Sequence, residues 1–167
     1  MSHEPLLDSL KFAHRGERLM GKVAVASLLR LQDFLYDPSG ELQYELKGRV
    51  GSDGRPAILC IIRGEVQLIC QRCLDSIAFP IATQREFVLV SSESELPDLA
   101  EEADDVDVIV ASATLDVLAL VEDEVILGLP IAPRHEFDCG APVEATESDP
   151  QTRSPFRALA RIKRSTR

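Results

Sequence analysis

Long hydrophobic runs are missing from this chain: none approaches the roughly 20 residues that span a bilayer. The opening "MSHEPLLDSL" has no basic stretch followed by an apolar one, so it does not read as a secretory signal. Cysteine is scarce. Four cysteines at irregular spacing do not make a disulfide framework in a chain of 167 residues. These three absences point to a reducing cytoplasm. There is also no G-x-S-x-G elbow to support a Ser-His-Asp triad, and neither a phosphate loop nor a dinucleotide fingerprint.

What is present is a chain long enough for one domain with a real core, and too short for two. Its net charge of −10 argues against gripping nucleic acid with the whole surface, because phosphate binding needs cations. The distribution of that charge matters more than the sum. Six basic residues and no acid fall between Arg153 and Arg167, while nine acids and no base fall between Glu86 and Asp107. An acidic body with a basic C-terminal tail is the reading, with the tail at 140–167 expected to be flexible.

Residues 1–19 read as an arm or short helix. "GKVAVASLLRLQDFL" predicts a short strand and then a helical turn or two, capped by Ser27 ahead of Leu28, Leu31 and Leu35. "DPSG" at 37–40 is a turn. "ELQYELKGRV" alternates apolar and polar residues as a half-buried strand does. "GSDG" at 51–54 is a hairpin turn. "RPAILCIIR" and "GEVQLIC" are two strands, or one strand with a bulge at Gly64, and Pro80 puts "IAFPIATQREFVLV" at an edge or bend. The acidic, aperiodic segment 91–107 predicts a solvated loop. After a strand at "DVIVA", the spacing predicts a helix over 115–127, capped by Thr114 and ended by Gly128 and Pro130. Its buried stripe is Leu118, Val121 and Val125 with Leu120 nearby. A last helix is predicted at "SPFRALARIKR", with Ser154 as its cap and Pro155 at its first position. The fold class is α+β: an antiparallel sheet or partly open barrel with a few packed helices, one domain over 1–167.

The chemistry candidates start with "LICQRCLD". Cys70 and Cys73 form a C-x-x-C pair that reads as half a zinc site, a redox dithiol, or two small residues capping a strand. A structural zinc needs four ligands. His135 and Cys139 in "RHEFDCG" offer a second half, making Cys70, Cys73, His135 and Cys139 a candidate set for one structural zinc. The redox reading is weaker, since a catalytic dithiol wants its first cysteine at a helix N-terminus. Cys60, inside "AILCII", reads as a core thiol. His3 and His14 carry no assignment. Glu122, Asp123 and Glu124 point around a helix rather than at one spot, so they read as a solvated face. In a helix Arg157, Arg161 and Arg164 would form one basic stripe beside Lys163, suited to an RNA backbone, an acidic protein groove or the chain's own acidic loop.

Taken in order, "GEVQLICQRCLDSIAFPI", an acidic loop, "LDVLALVEDEVILGLPIAPRH", a late cysteine and "SPFRALARIKR" resemble the bacterial YceD family, the large ribosomal RNA subunit accumulation protein. The N-terminal "GERLMGKVAVASLLRL" is similar to that family's opening. The resemblance implies a non-enzymatic cytoplasmic factor for synthesis, processing or stability of large-subunit (23S) ribosomal RNA. Its partners would be that RNA, a ribosomal protein or an assembly factor, with no membrane and no DNA. Cys70, Cys73, His135 and Cys139 match the family's paired cysteines and its later His and Cys, whereas Cys60 has no counterpart. The alternative from another class is a zinc- or thiol-dependent enzyme acting through Cys70 and Cys73.

Overall fold

A computed structural model describes residues 5–96 and 106–140. The expected last helix at 154–164 and the basic residues Arg157, Arg161, Lys163 and Arg164 lie outside the described residues.

Alternation builds most of the molecule. Three long strands, β4 (Glu41–Val50), β5 (Pro56–Ile69) and β6 (Ser76–Val90), pair antiparallel as consecutive hairpins. β2 (Arg18–Ala24) adds outside β4, and the short β3 (Leu35–Asp37) pairs with β5 where β4 no longer does. β7 (Val106–Val110) runs parallel to the end of β6, so the sheet is mixed rather than purely antiparallel. It stays open, with β2 and β7 at the ends of the main strand order, and does not close into a barrel.

One face of this sheet is buried. Leu42, Tyr44 and Leu46 of β4 meet Ile58, Cys60, Ile62, Val66 and Leu68 of β5, and Ile81, Phe87 and Leu89 of β6. Among the described residues, two helices close that face. α1 (Ser9–His14) lays Phe12 and Ala13 on β4, where only a glycine fits: a Cβ on Gly48 would collide with the Phe12 carbonyl. α2 (Val117–Leu127) contributes Val117, Val121 and Val125, all wholly buried. Leu118 and Leu120, placed by periodicity in the same stripe, are only partly buried.

Several expectations are corrected. β5 runs through Gly64 with unbroken register to β6, so there is no bulge there. Glycine is present because a side chain would strike Leu42 and the Glu41 carbonyl. Pro80 does sit where β6 has β5 on one side only, since β7 reaches only Glu86–Val90. The cap of α2 is Asp116, not Thr114. Residues Leu115–Asp116 are held extended as β8 against β1 (Leu6–Leu7), which delays the helix start. The Asp116 carboxylate then accepts from the amides of Leu118 (2.9 Å) and Ala119 (3.0 Å), a cap that stabilises by about 1 kcal/mol. Ser27 caps nothing. It ends a 3-10 turn, Val25–Ser27, and a second turn at Leu31–Phe34 has no side-chain cap, because extended Leu28 breaks the run between them. Leu28, Leu31 and Leu35 are nonetheless buried.

The acid triplet of α2 is the largest departure. Asp123 is exposed, but Glu122 and Glu124 are buried, at 8% and 3% exposure. Glu122 reaches across to the loop before β3. Its carboxylate accepts from the backbone N–H of Arg30 (2.7 Å) and Leu31 (3.1 Å), and from the Arg30 guanidinium (2.9 Å). Burial, opposed by the Arg85 guanidinium, raises the Glu124 carboxyl above its ordinary value. What looked like a solvated face is a polar latch between α2 and the rest of the fold.

Candidate metal centre

The β5–β6 hairpin closes on a tight turn, residues 70–75, that begins as β5 ends. The Cys70 amide donates to the Asp75 carbonyl and the Leu74 amide to the Cys70 carbonyl, both at 2.9 Å. Leu74 takes a left-handed backbone (φ 64°), unusual for a branched side chain and tolerated only where the surroundings fix it. Folding the chain this tightly aims the Arg72 amide at the Cys70 sulfur, 3.4 Å away. The hairpin tip therefore presents Cys70 with N–H donors already pointed at it.

The second half arrives from the chain beyond α2. Gly128 ends that helix, and the following segment crosses to the hairpin. There the Gln71 amide donates to the Pro133 carbonyl (2.8 Å), and the Arg72 guanidinium pairs with Asp138 (2.9 Å). His135 stacks on Phe137 with ring centroids 4.8 Å apart. These contacts bring together all four residues singled out from the sequence. The ligand atoms of Cys70, Cys73, His135 and Cys139 lie within 4.8 Å of one another, a group able to hold a metal ion.

The distances can be tested against a metal. With metal–sulfur bonds of about 2.3 Å and metal–nitrogen bonds of about 2.0–2.1 Å, tetrahedral geometry separates two sulfurs by roughly 3.8 Å and sulfur from nitrogen by roughly 3.6 Å. Cys70 and Cys139 sulfurs are 3.6 Å apart, and Cys73 sulfur lies 3.5 Å from His135 Nδ1. The sulfur pair is much too far apart for a disulfide, and all four cysteines are free. His135 Nε2 lies 3.0 Å from the Ser76 carbonyl. A donor there places the proton on Nε2 and leaves the Nδ1 lone pair facing Cys73, as an imidazole ligand requires.

Electrostatics point the same way. Burial works to raise the Cys70 thiol, but the N–H groups of Cys73, Arg72 and His135 outweigh it and pull the thiol down to about 5. Cys139 goes the other way, pushed up to about 11 by burial and by the Cys73 and Cys70 thiols beside it. The two thiols are driven apart by sharing one spot, whereas a divalent cation there would favour the thiolate of both. Cys70 is wholly buried, so its thiolate is not presented to a substrate. Cys60 lies apart in the core, where burial and then the Glu124 charge push its thiol up to about 12.

Sequence reasoning missed the Arg30–Glu122 latch and an apolar groove beside the metal-ligand group, walled by Phe34 and Ile131. The only signal for the groove is Ile131 set between Pro130 and Pro133, an apolar residue in a segment too constrained for helix or strand.

The family profile described as "Large ribosomal RNA subunit accumulation protein YceD" matches residues 59–163. The chain belongs to the YceD family. The match takes in most of the β5–β6 hairpin, α2 and all four residues of the Cys/His group. A relative from Haemophilus influenzae, named large ribosomal RNA subunit accumulation protein YceD, is 27% identical over 136 residues, covering 79% of this chain and 75% of its own length. No solved structure matches the chain. Among the described residues, no helix is long and apolar enough to cross a membrane.

Proposed function

We propose that this protein is a non-catalytic factor that supports accumulation of large-subunit (23S) ribosomal RNA by binding an assembly intermediate in the cytoplasm. The observation that carries the reading is the family match over residues 59–163, which includes the metal ligands and most of the basic tail. Within this reading Cys70, Cys73, His135 and Cys139 hold one structural zinc. Three thiolates and an imidazole are the ligands zinc prefers, and four protein ligands leave no open position for a reactive water. The zinc clamps the segment after α2 onto the β5–β6 hairpin. Arg157, Arg161, Lys163 and Arg164 contact RNA phosphates, since they supply cations that an acidic body lacks.

The experiment is depletion of the protein with complementation by wild type. Depletion should lower 23S relative to 16S ribosomal RNA, and wild type should restore it. An unchanged ratio would remove the ribosomal reading. A thiol enzyme would instead need a reachable nucleophile; Cys70 is buried, and half-buried Cys73 has its sulfur against His135 Nδ1 at 3.5 Å, the arrangement a shared metal would use.

A further inference from the structure

We propose that the groove beside the metal-ligand group docks a basic protein segment that inserts one apolar side chain, so that this face engages a protein rather than RNA. The assembly context rests on the function proposed above; the chemistry of the groove does not. Its floor is Leu68 and Ile69 of β5, and its walls are Phe34 and the run from Leu129 to Ile131. Its volume, about 100 Å³, is several times the roughly 30 Å³ share of a water molecule and can admit one apolar side chain.

Four features select the occupant. Phe34 is half exposed and Ile131 fully so, which sets large apolar surface at the groove mouth, where lone exposed apolar residues would need no explanation but a grouped set marks contact. The one charged residue lining the groove is Asp33, and among the described residues its carboxylate makes no ion pair. A phosphate backbone would be repelled there, whereas a Lys or Arg flanking an inserted side chain would pair with it. The wall is also rigid. Pro130 and Pro133 restrict the backbone, and the Gln71–Pro133 hydrogen bond fixes it to the hairpin, so little ordering is left to be lost on binding. The chain carries 18 Lys and Arg against 28 Asp and Glu, a surplus of acid that favours a basic protein over RNA.

The test uses the full chain, with individually purified large-subunit ribosomal proteins as protein probes and a 23S ribosomal RNA transcript as the RNA probe. At least one basic ribosomal protein should bind, and Ile131→Glu should weaken that binding about tenfold or more. Because Ile131 is fully exposed, that variant should melt like wild type. Asp33→Asn should weaken binding severalfold at low salt and little at high salt. Arg63→Glu, six residues before Ile69 on β5 and outside the groove lining, should change nothing. The proposal is overturned if no ribosomal protein binds, if Ile131→Glu binds as wild type does, or if its loss appears with the RNA transcript. Failure of the ribosomal reading would register separately, as an unchanged 23S level on depletion despite groove-dependent binding.

Discussion

Replacing Glu122 with Ala should destabilise the protein far more than replacing its neighbour Asp123, although the two are adjacent acids on one helix. The magnitude follows from what each carboxylate touches. Glu122 is the acceptor for the amide of Leu31, a wholly buried residue, at 3.1 Å and for the amide of Arg30 at 2.7 Å. Removing it leaves the Leu31 N–H without a partner, which costs about 1–3 kcal/mol. The Arg30 amide can be resolvated more easily and adds less. The ion pair to the Arg30 side chain is half exposed and adds little. Glu122→Ala should therefore cost about 2–4 kcal/mol. Glu122→Gln keeps an oxygen for the amides and should cost about 1 kcal/mol. Asp123→Ala, whose carboxylate meets only the exposed Arg30 guanidinium, should fall within about 0.5 kcal/mol of wild type. Urea unfolding at neutral pH reads all three. If Glu122→Ala and Asp123→Ala are equally mild, the latch does not hold α2 and its geometry has been misjudged.

Other outcomes follow from the same structure. Val121→Ala empties a wholly buried position and should cost about 2–3 kcal/mol by lost transfer energy and cavity formation; Leu118→Ala, only partly buried, should cost less, and a reversed order in urea unfolding would contradict the observed helix orientation. Gly48→Ala should lower the melting temperature more than Gly54→Ala, because a Cβ on Gly48 meets the Phe12 backbone whereas Gly54 has open space and only the strain of its left-handed backbone (φ 82°) to bear; a Gly48→Ala shift no larger than that of Gly54→Ala would mean α1 yields to the added methyl. Replacing Arg157, Arg161 and Arg164 with Ala should leave the melting curve nearly unchanged and weaken RNA association, most at low salt. Unchanged RNA binding by that variant would take the tail out of the RNA contact.

The three long strands were legible because each has one buried and one polar face, so alternation in "ELQYELKGRV" or "GEVQLIC" records the sheet directly. The direction of β7 was not, since a short apolar run reads the same whether its neighbour is parallel or antiparallel. Gly64 was misread because a glycine within a strand marks either a bulge or a close neighbour, and only the packed Leu42 distinguishes them. Glu122 and Glu124 were misread for a similar reason. Their partners, the Arg30 and Leu31 amides and Arg85, are remote in sequence, so nothing local distinguishes a buried acid from a solvated one. The clustering of Cys70, Cys73, His135 and Cys139 was legible in part: the C-x-x-C and the later His and Cys could be paired by ligand chemistry. What spacing could not supply was the Gln71–Pro133 and Arg72–Asp138 contacts that bring the two halves together.

Metal content is the most direct measurement of the proposed clamp. Protein purified without added metal or chelator should carry about one zinc per chain by elemental analysis, and Cys70→Ser should lower that content sharply. Chelation should lower the melting temperature of wild type, because metal binding free energy is folding free energy for the segment it holds. Metal-free wild type, with a melting temperature indifferent to both chelator and added zinc, would contradict the account.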